Sequence, residues 1–206
     1  MKHTVNVKYL LVAAMLLLGS INVATAKPVG FKGVIGLGFD LGGEVLDSGV
    51  YSDGSSWDVK ANQGLALNIG MVMVTGAFET QLTVGYKSGG PQAKNGSITF
   101  DSSAVELMEF YRTSNIRMGL GVVSHGSPKL AKDAPVGAGT LANGTYKFGD
   151  AVGTIAQIGW APAKSSFSID LRYTAVQFKS PANYAALGLK KEYNGNVAGL
   201  YMSYFF

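Results

Sequence analysis

One short element of the sequence contains residue types that could support acyl-transfer chemistry, the tripeptide His125-Gly126-Ser127. A histidine can activate a serine hydroxyl as a nucleophile when a third group orients the imidazole ring. No carboxylate partner for His125 is evident, and Pro128 indicates a loop, where serine and glycine are common. We therefore expect that the protein is not an enzyme.

Metal and cofactor chemistry have little support in the sequence. The chain has no cysteine, which excludes disulfides, thiol catalysis and thiolate metal sites. Asp47, Asp53 and Asp58 flank one polar segment and could bind a cation weakly, but solvated loop carboxylates are far more common. The glycine-rich stretch 33–43 lacks the strand-turn-helix setting of a phosphate loop. We expect no metal and no cofactor.

The first 26 residues have the features of a secretory signal peptide. A basic start is followed by the apolar run Leu10–Leu18 and by the small-x-small motif Ala24-Thr25-Ala26. The run is shorter than the roughly 17–25 residues that span a bilayer, although an uncleaved N-terminal anchor is the alternative. Cleavage after Ala26 would leave residues 27–206 as one domain, with 15 basic and 13 acidic residues. That near balance gives no support for nucleic-acid binding.

The elements that must position any site are strands, because the dominant pattern after residue 27 is alternation with a period of two. Between Phe31 and Val45 the odd positions are mostly large and apolar, whereas the even positions are small or charged. Seven further segments have the same pattern: Trp57–Val74, Ala77–Lys87, Ile98–Tyr111, Ile116–Val123, Tyr146–Trp160, Phe167–Phe178 and Asn196–Phe206. The sequence therefore predicts an all-β fold, an antiparallel up-and-down barrel of eight strands.

The direction in which the side chains of the fourth strand, Ile98–Tyr111, point is ambiguous and depends on the turn that follows it. If Tyr111 pairs with Ile116, then Glu106 lies on the polar face and Glu109 lies outward near an interface. The opposite facing would place Glu106 in the middle of the apolar face, at a cost of several kcal/mol against lipid. We prefer the first arrangement, which a β-bulge could still overturn.

The connections alternate between short and long. Thr75-Gly76, 112–115 and 161–166 are short, whereas 47–56, 88–96, 124–145 and 179–195 are long and rich in Gly, Ser, Pro and Asn. Short turns at one end and long loops at the other are typical of outer-membrane barrels, with the short turns in the periplasm and the long loops outside the cell.

The alternation alone does not decide which face lies inside, since a secreted lipocalin-like barrel would have its apolar face inside. Only 15% of the chain is charged, which is too little for the outer surface of a soluble barrel. Aromatic residues also lie at the ends of the apolar face, as in the girdles of membrane barrels. At the short-turn end they are Phe31, Phe78, Tyr111, Trp160, Phe167 and Phe206, and toward the long loops they are Trp57, Tyr86 and Tyr146.

With the polar face inside, a set of charged residues projects into one narrow lumen. An eight-stranded barrel is just wide enough for side chains to fill it, so we expect these charges to pair and plug the interior. The alternative is a narrow polar or ion-conducting path. The residues are Lys32, Asp40, Lys60, Glu79, Lys87, Glu106, Arg117, Asp170 and Arg172, together with Gln157.

The C-terminal strand carries a resemblance to a known group. Leu200, Met202, Tyr204 and Phe206 alternate up to a final aromatic, which is similar to the assembly signal of bacterial outer-membrane barrels, and 168–173 resembles their penultimate strand. In plan the chain resembles the OmpA transmembrane domain, OmpX and OmpW group. This resemblance implies an outer-membrane location, contact with membrane lipids and lipopolysaccharide, insertion by the barrel-assembly machinery, and a monomer.

Three functions remain open at this point. The first is a structural or surface-interaction role through the long loops, and the second is a narrow channel for small solutes. The third is lipid A modification, because the His125-x-Ser127 element is similar to that of outer-membrane lipid A deacylases. It departs from that family by following the fifth strand and by lacking an asparagine after Ser127.

Overall fold

The computed structural model describes residues 30–51, 53–93, 96–133, 139–162 and 165–206. The predicted signal peptide and its cleavage site at Ala26 lie outside them. No helix in this part of the chain is long and apolar enough to cross a membrane. The described residues form fourteen strands: β1 Gly30–Gly42, β2 Val45–Val50, β3 Ser56–Lys60, β4 Gly64–Thr75, β5 Phe78–Gly89, β6 Gln92–Ala93, β7 Gly96–Arg112, β8 Ile116–Asp133, β9 Gly144–Lys147, β10 Ala151–Trp160, β11 Phe167–Ala175, β12 Gln177–Lys179, β13 Glu192–Asn194 and β14 Val197–Phe205.

Eight of these strands close into an antiparallel barrel in the order β1-β4-β5-β7-β8-β10-β11-β14, and β14 pairs with β1. The predicted fold class is confirmed. Short turns lie at the end where β14 terminates, which we call the turn end, and the long connections lie at the opposite loop end. The β4–β5 turn contains only Gly76 and Ala77 between the paired residues Thr75 and Phe78, with Gly76 in the left-handed region (φ 65°) that glycine adopts readily.

The register of the pairs fixes the tilt of the barrel strands. Direct partners lead from Phe78 through Tyr111 and on around the barrel to Phe39, Leu65 and finally Ser88. One circuit thus returns to β5 ten residues further along the strand, a shear of ten. Together with the spacing of strands, this offset implies a tilt of roughly 40°. The result is a narrow barrel, and side chains fill its interior.

The fourth barrel strand, β7, has the facing that the sequence favoured. Glu106 is buried inside, whereas Val105 and Tyr111 are exposed on the outer wall. The turn differs from the predicted one, since Tyr111 pairs with Met118 and not with Ile116. A shift of two residues leaves the facing unchanged, because side chains alternate with a period of two.

A β-bulge in β8 changes which side chains face inward. Ser103 pairs with Gly126 but Asp101 pairs with Lys129, so two residues of β8 oppose Ser102 alone. Ser127 has a φ of 49° at this point. Below the bulge His125 faces inward, and beyond it the inward positions become Pro128, Leu130 and Lys132. β8 can therefore continue to Asp133 as part of an ordered hairpin, where the sequence predicted a loop from residue 124.

The loop end is folded over the barrel, contrary to the expectation of irregular loops. One apolar cluster, which we call the loop core, lies at this end. It is enclosed by the hairpins β2–β3 and β12–β13, by the loop-end halves of β7 and β8, and by β9. Its buried residues are Leu46, Val59, Ala61, Ile98, Phe100, Leu130, Leu141, Tyr146, Phe148, Ala151, Val176, Phe178, Leu189 and Tyr193.

The alternation predicted that Val59 and Phe148, like the girdle residues Trp57 and Tyr146, lie on the outward apolar face, and these four placements are wrong. Val59, Tyr146 and Phe148 are buried in the loop core, and Trp57 packs against it. The chain leaves β-structure between Lys60 and Gly64 and again between Lys147 and Ala151, and each break changes the facing of the residues on its two sides. Alternation read across such a break assigns the wrong face.

Candidate functional site

The interior near the turn end is occupied by an ion-pair cluster around Arg117. This guanidinium binds Asp170 with two hydrogen bonds, each of 2.7 Å, and both side chains are fully buried. Ser168 donates a further hydrogen bond to Asp170 (2.8 Å), while Arg112 Nε lies 2.6 Å from Glu79 Oε1. The rings of Phe110 and Phe205 flank the Arg117 guanidinium at 4.4 and 5.2 Å. The cluster occupies this section of the lumen.

A second cluster fills the middle of the barrel. Arg172 donates hydrogen bonds of 2.8 Å to Glu106 and to Gln157, and its guanidinium stacks on the ring of Tyr201 at 3.9 Å. The Tyr201 hydroxyl donates to Asp40 at 2.6 Å. Asp40 also pairs with Lys87, which in turn donates to Asn62. A cavity beside Lys87, Glu106 and His125 has a volume of about 10 Å³, room for about one water molecule.

Glycines on the inner wall make room for these large side chains. A Cβ atom at Gly38 would overlap the ring of Tyr201, and one at Gly159 would overlap the Asp170 carboxylate. Gly119 has the same relation to Phe110. The small residues on the polar face are thus the complement of the interior side chains, as expected for a narrow barrel.

The structure brings most of the predicted lumen charges together. The two clusters contain Asp40, Glu79, Lys87, Glu106, Arg117, Gln157, Asp170 and Arg172, all buried. Lys32 lies on the inward side of β1 but is exposed at the open turn end. The assignment of Lys60 to the lumen is wrong. Lys60 lies in the β2–β3 hairpin, outside the barrel wall, and forms a partly exposed ion pair with Asp58 at 3.3 Å.

Sequence reasoning missed Arg112, Asn62 and Tyr201 as members of these clusters. Alternation placed Tyr201 on the polar face between Leu200 and Met202, but only charged residues and Gln157 were named as lumen residues. Arg112 was assigned to a turn, although it pairs with Arg117 at the last position of β7. Alternation placed Asn62 on the polar face of the second predicted strand, although the structure puts it in the break between β3 and β4.

The His125-x-Ser127 element does not form a catalytic pair. His125 points inward, is 1% exposed and has its Nδ1 atom 3.1 Å from Ser102 Oγ. Its Nε2 atom has no hydrogen-bond partner, and its ring packs edge-on against Phe178 of the loop core. Ser127 lies on the exposed side of the bulge, where its backbone N–H donates to Asp150. The loop core therefore separates the imidazole from any substrate outside.

The β2–β3 hairpin is fastened over the barrel by a buried ion pair. Asp47 accepts a hydrogen bond from Lys132 at 2.7 Å and two from Thr140, at 2.8 Å from the backbone and 2.7 Å from the hydroxyl. Lys132 also lies 5.8 Å from the ring centre of Trp57. Burial of Asp47 opposes ionisation, but the hydrogen bonds from Lys132 and Thr140 outweigh that effect and hold its pKa below the usual value. We call this group the loop latch.

The outer wall has the opposite chemistry to the interior. It is covered by exposed apolar side chains, among them Leu37, Leu67 and Ile69. The residues predicted to form the girdle lie at the turn end of this wall: Phe31, Phe78, Tyr111, Trp160 and Phe206 are exposed and Phe167 is half-buried. An apolar band with an aromatic border is the surface pattern of outer-membrane barrels, and the described outer wall has this pattern.

The residues of the predicted assembly signal lie together on the last strand. Leu200, Met202, Tyr204 and Phe206 all point outward from β14 and are exposed. Phe206 exchanges two backbone hydrogen bonds with Gly33, at 2.7 and 3.0 Å, which complete the closing pair of strands. The end of the chain is thus built into the seam of the barrel.

No protein-family model matches the sequence, and no curated protein matches it. Among solved structures, the fold is similar to that of Neisserial surface protein A (NspA), with 11% identity, a TM-score of 0.47, and coverage of 87% of this chain and 100% of that chain. It is also similar to Ail, the attachment invasion locus protein of Yersinia pestis, solved in complex with the heparin analogue sucrose octasulfate. That match has 13% identity and a TM-score of 0.46, and covers 85% and 99% of the two chains.

Proposed function

We propose that the protein is a non-conducting barrel of the bacterial outer membrane that presents a folded loop end to the outside as an interaction surface. The observation that carries this proposal is the filled interior. Two ion-pair clusters occupy the lumen, and the loop core lies over them. A narrow channel for small solutes, the alternative from the sequence, would need a continuous wet path through these layers.

The outer wall supports the proposed location in the outer membrane. An exposed apolar surface of this extent is unfavourable in water, whereas a bilayer covers it. Export would use the predicted signal peptide with cleavage after Ala26. Insertion would use the barrel-assembly machinery, which would recognise the last strand through Leu200, Met202, Tyr204 and Phe206. The protein would then act as a monomer in contact with outer-membrane lipids.

The surface offered to partners includes two lysines held side by side. Lys129 of β8 and Lys147 of β9 are direct cross-strand partners. Like charges in this arrangement repel each other, and neither lysine belongs to an ion pair within the described part of the chain. An anion between them would relieve the repulsion. The pair lies above the outer wall at the loop end, so the phosphate groups of lipopolysaccharide are the partner that we propose.

Conductance in a planar bilayer tests the non-conducting character. We expect no discrete current steps from purified, inserted protein. Reproducible single-channel steps would contradict the proposal and favour the channel.

Binding of lipopolysaccharide tests the loop-end surface. Replacement of both Lys129 and Lys147 with alanine should weaken retention of lipopolysaccharide in a native mass spectrum, because the positive charge is lost. Lys60→Ala serves as the control, since Lys60 is also partly exposed at the loop end but is paired with Asp58. Equal retention by the double variant and the control would contradict the proposed role of the lysine pair.

The structure gives no support to lipid A modification, because His125 is buried and Ser127 faces away from it. The mass spectrum of lipid A should be the same in cells with and without the gene. A difference that the His125→Ala variant abolishes would reinstate the enzyme hypothesis.

A further inference from the structure

A carboxylate lies on the outer wall of the barrel among apolar side chains. Glu109 of β7 points outward and is half-buried, between the levels of Tyr111 and Leu107. Its carboxylate accepts a 2.7 Å hydrogen bond from the hydroxyl of Thr80, the residue opposite on β5. Within the described residues no cation lies within ion-pairing distance of Glu109.

A charge on the lipid-facing surface of a barrel costs little near the interface and more toward the midplane, and an ionisable side chain within the membrane marks a candidate functional site. A single hydroxyl donor does not neutralise the charge of a carboxylate. A cation at this position would do so, and it would have to come from the membrane, because the side chain faces outward from the barrel.

The surroundings of Glu109 favour an organic ammonium ion. Phe78 and Tyr111 lie one pair closer to the turn end and form an edge-to-face contact with ring centres 5.6 Å apart. Aromatic faces attract ammonium groups, more strongly where water is sparse. A carboxylate, a hydroxyl and two aromatic rings thus surround the same point on the outer wall, at the border of the aromatic girdle.

A shallow, open apolar groove begins beside this point and follows the outer wall. Its floor follows a row of paired residues around the wall. Glu109 pairs with Leu120, Leu120 with Ala156, Ala156 with Tyr173, and Tyr173 with Ala198. The two alanines open the groove between larger neighbours such as Ile158 and Leu200. Because the strands tilt, the groove rises toward the loop end by roughly 3 Å per strand, or about one leaflet of the bilayer in total.

We propose that this surface is a binding site for a phospholipid with a primary ammonium headgroup, such as phosphatidylethanolamine, in the leaflet at the turn end. The ammonium group forms an ion pair with Glu109 and donates hydrogen bonds to its carboxylate. It also makes cation–π contacts with the rings of Phe78 and Tyr111. An acyl chain of the same lipid lies in the apolar groove. This inference rests on the membrane insertion proposed above.

Lipid retention from a mixed bilayer tests the site. The protein is inserted into bilayers of equal parts phosphatidylethanolamine and phosphatidylglycerol, extracted in mild detergent, and examined by native mass spectrometry. We expect several-fold enrichment of the ammonium lipid on the wild type. Glu109→Gln should retain both lipids equally, because only the charge is removed. Asp101→Asn is the control and should keep the enrichment, because Asp101 is a buried carboxylate at the loop end that accepts hydrogen bonds from Ser88 and Thr99.

A second variant tests the groove separately from the headgroup site. Ala156→Leu fills the groove and should reduce the amount of both lipids retained. Equal retention of the two lipids by the wild type would overturn the proposal, and so would an enrichment that Glu109→Gln leaves unchanged. A barrel that inserts but shows no preference contradicts this inference alone. A protein that stays outside the bilayer contradicts the proposed function.

Discussion

Single residues in the interior are constrained by the need to pair charge away from water. Arg117 and Asp170 are both fully buried and make two parallel hydrogen bonds. A buried pair of this kind is weak evidence for stability relative to an apolar filling, but removal of one partner leaves an uncompensated charge. The partly exposed pair Lys60–Asp58 is different, because water reaches and screens both groups.

Asp170→Asn should destabilise the barrel by about 3–5 kcal/mol, the usual cost of breaking a buried ion pair. The variant keeps the size of the side chain but leaves the Arg117 guanidinium without its main counter-charge. The urea midpoint of refolding into detergent micelles measures the effect. Asp58→Asn is the control and should cost less than about 1 kcal/mol. Similar midpoints for the two variants would contradict the role assigned to the interior cluster.

Among the elements, the loop hairpins differ most from their sequence-based description. Their sequences contain the Gly, Ser and Asn of loops, yet their apolar residues form the loop core and the latch holds them in place. The latch depends on the ionised form of Asp47. A depressed pKa means that its stabilising effect is complete above the pKa of the unfolded chain, about 3.9, and is lost as the pH falls through the lower folded value.

Acid should therefore release the β2–β3 hairpin below about pH 4 while the barrel stays closed. Trp57 packs against the loop core, so its fluorescence reports the release once Trp160→Phe has removed the other tryptophan. We expect a red shift as the pH falls. Asp133→Asn, an exposed carboxylate nearby on β8, should leave the transition in place. Asp47→Asn should abolish it, and an unchanged transition in that variant would refute the latch.

The elements also show what the sequence could predict and what it could not. Alternation placed Leu67 outside and Arg172 inside correctly, because a strand has a strict period of two and one face meets lipid. It failed for Lys60 and Tyr146, which lie beside breaks where the chain changes direction and the period restarts. The inward position of Lys132 depends on the bulge at Ser127, and the alternation of side chains does not predict where a bulge occurs. Contacts across the loop core, such as Asp47 with Lys132, join residues 85 positions apart and leave no local signal.

At the scale of the whole molecule, closure of the barrel removes every free edge from its eight strands. Closure joins β14 to β1, and Phe206 exchanges two backbone hydrogen bonds with Gly33 there. The ring of Phe206 lies against Gly33, where a Cβ atom would overlap it. The end of the chain therefore serves both the seam and the aromatic girdle.

Deletion of Phe206 should lower the yield of assembled barrel in cells, because the seam loses this pair of hydrogen bonds and the assembly signal loses its final aromatic. The measurement is the fraction of protein with a heat-dependent shift in gel mobility. Phe206→Tyr, which keeps the backbone bonds and an aromatic ring, should assemble close to the wild-type level. Normal assembly of the deletion variant would argue against the signal.

The orientation of the two faces of the wall is the central claim, and spin labels test it most directly. The chain has no cysteine, so single cysteines introduced along β4 carry one label each. In protein inserted into phospholipid vesicles, labels at Leu67, Ile69 and Met71 should collide with oxygen dissolved in the lipid. Labels at Ala66 and Asn68 should be shielded from both oxygen and a water-soluble nickel complex. The opposite alternation, or a protein that stays in the aqueous phase with its apolar face enclosed, would contradict the account.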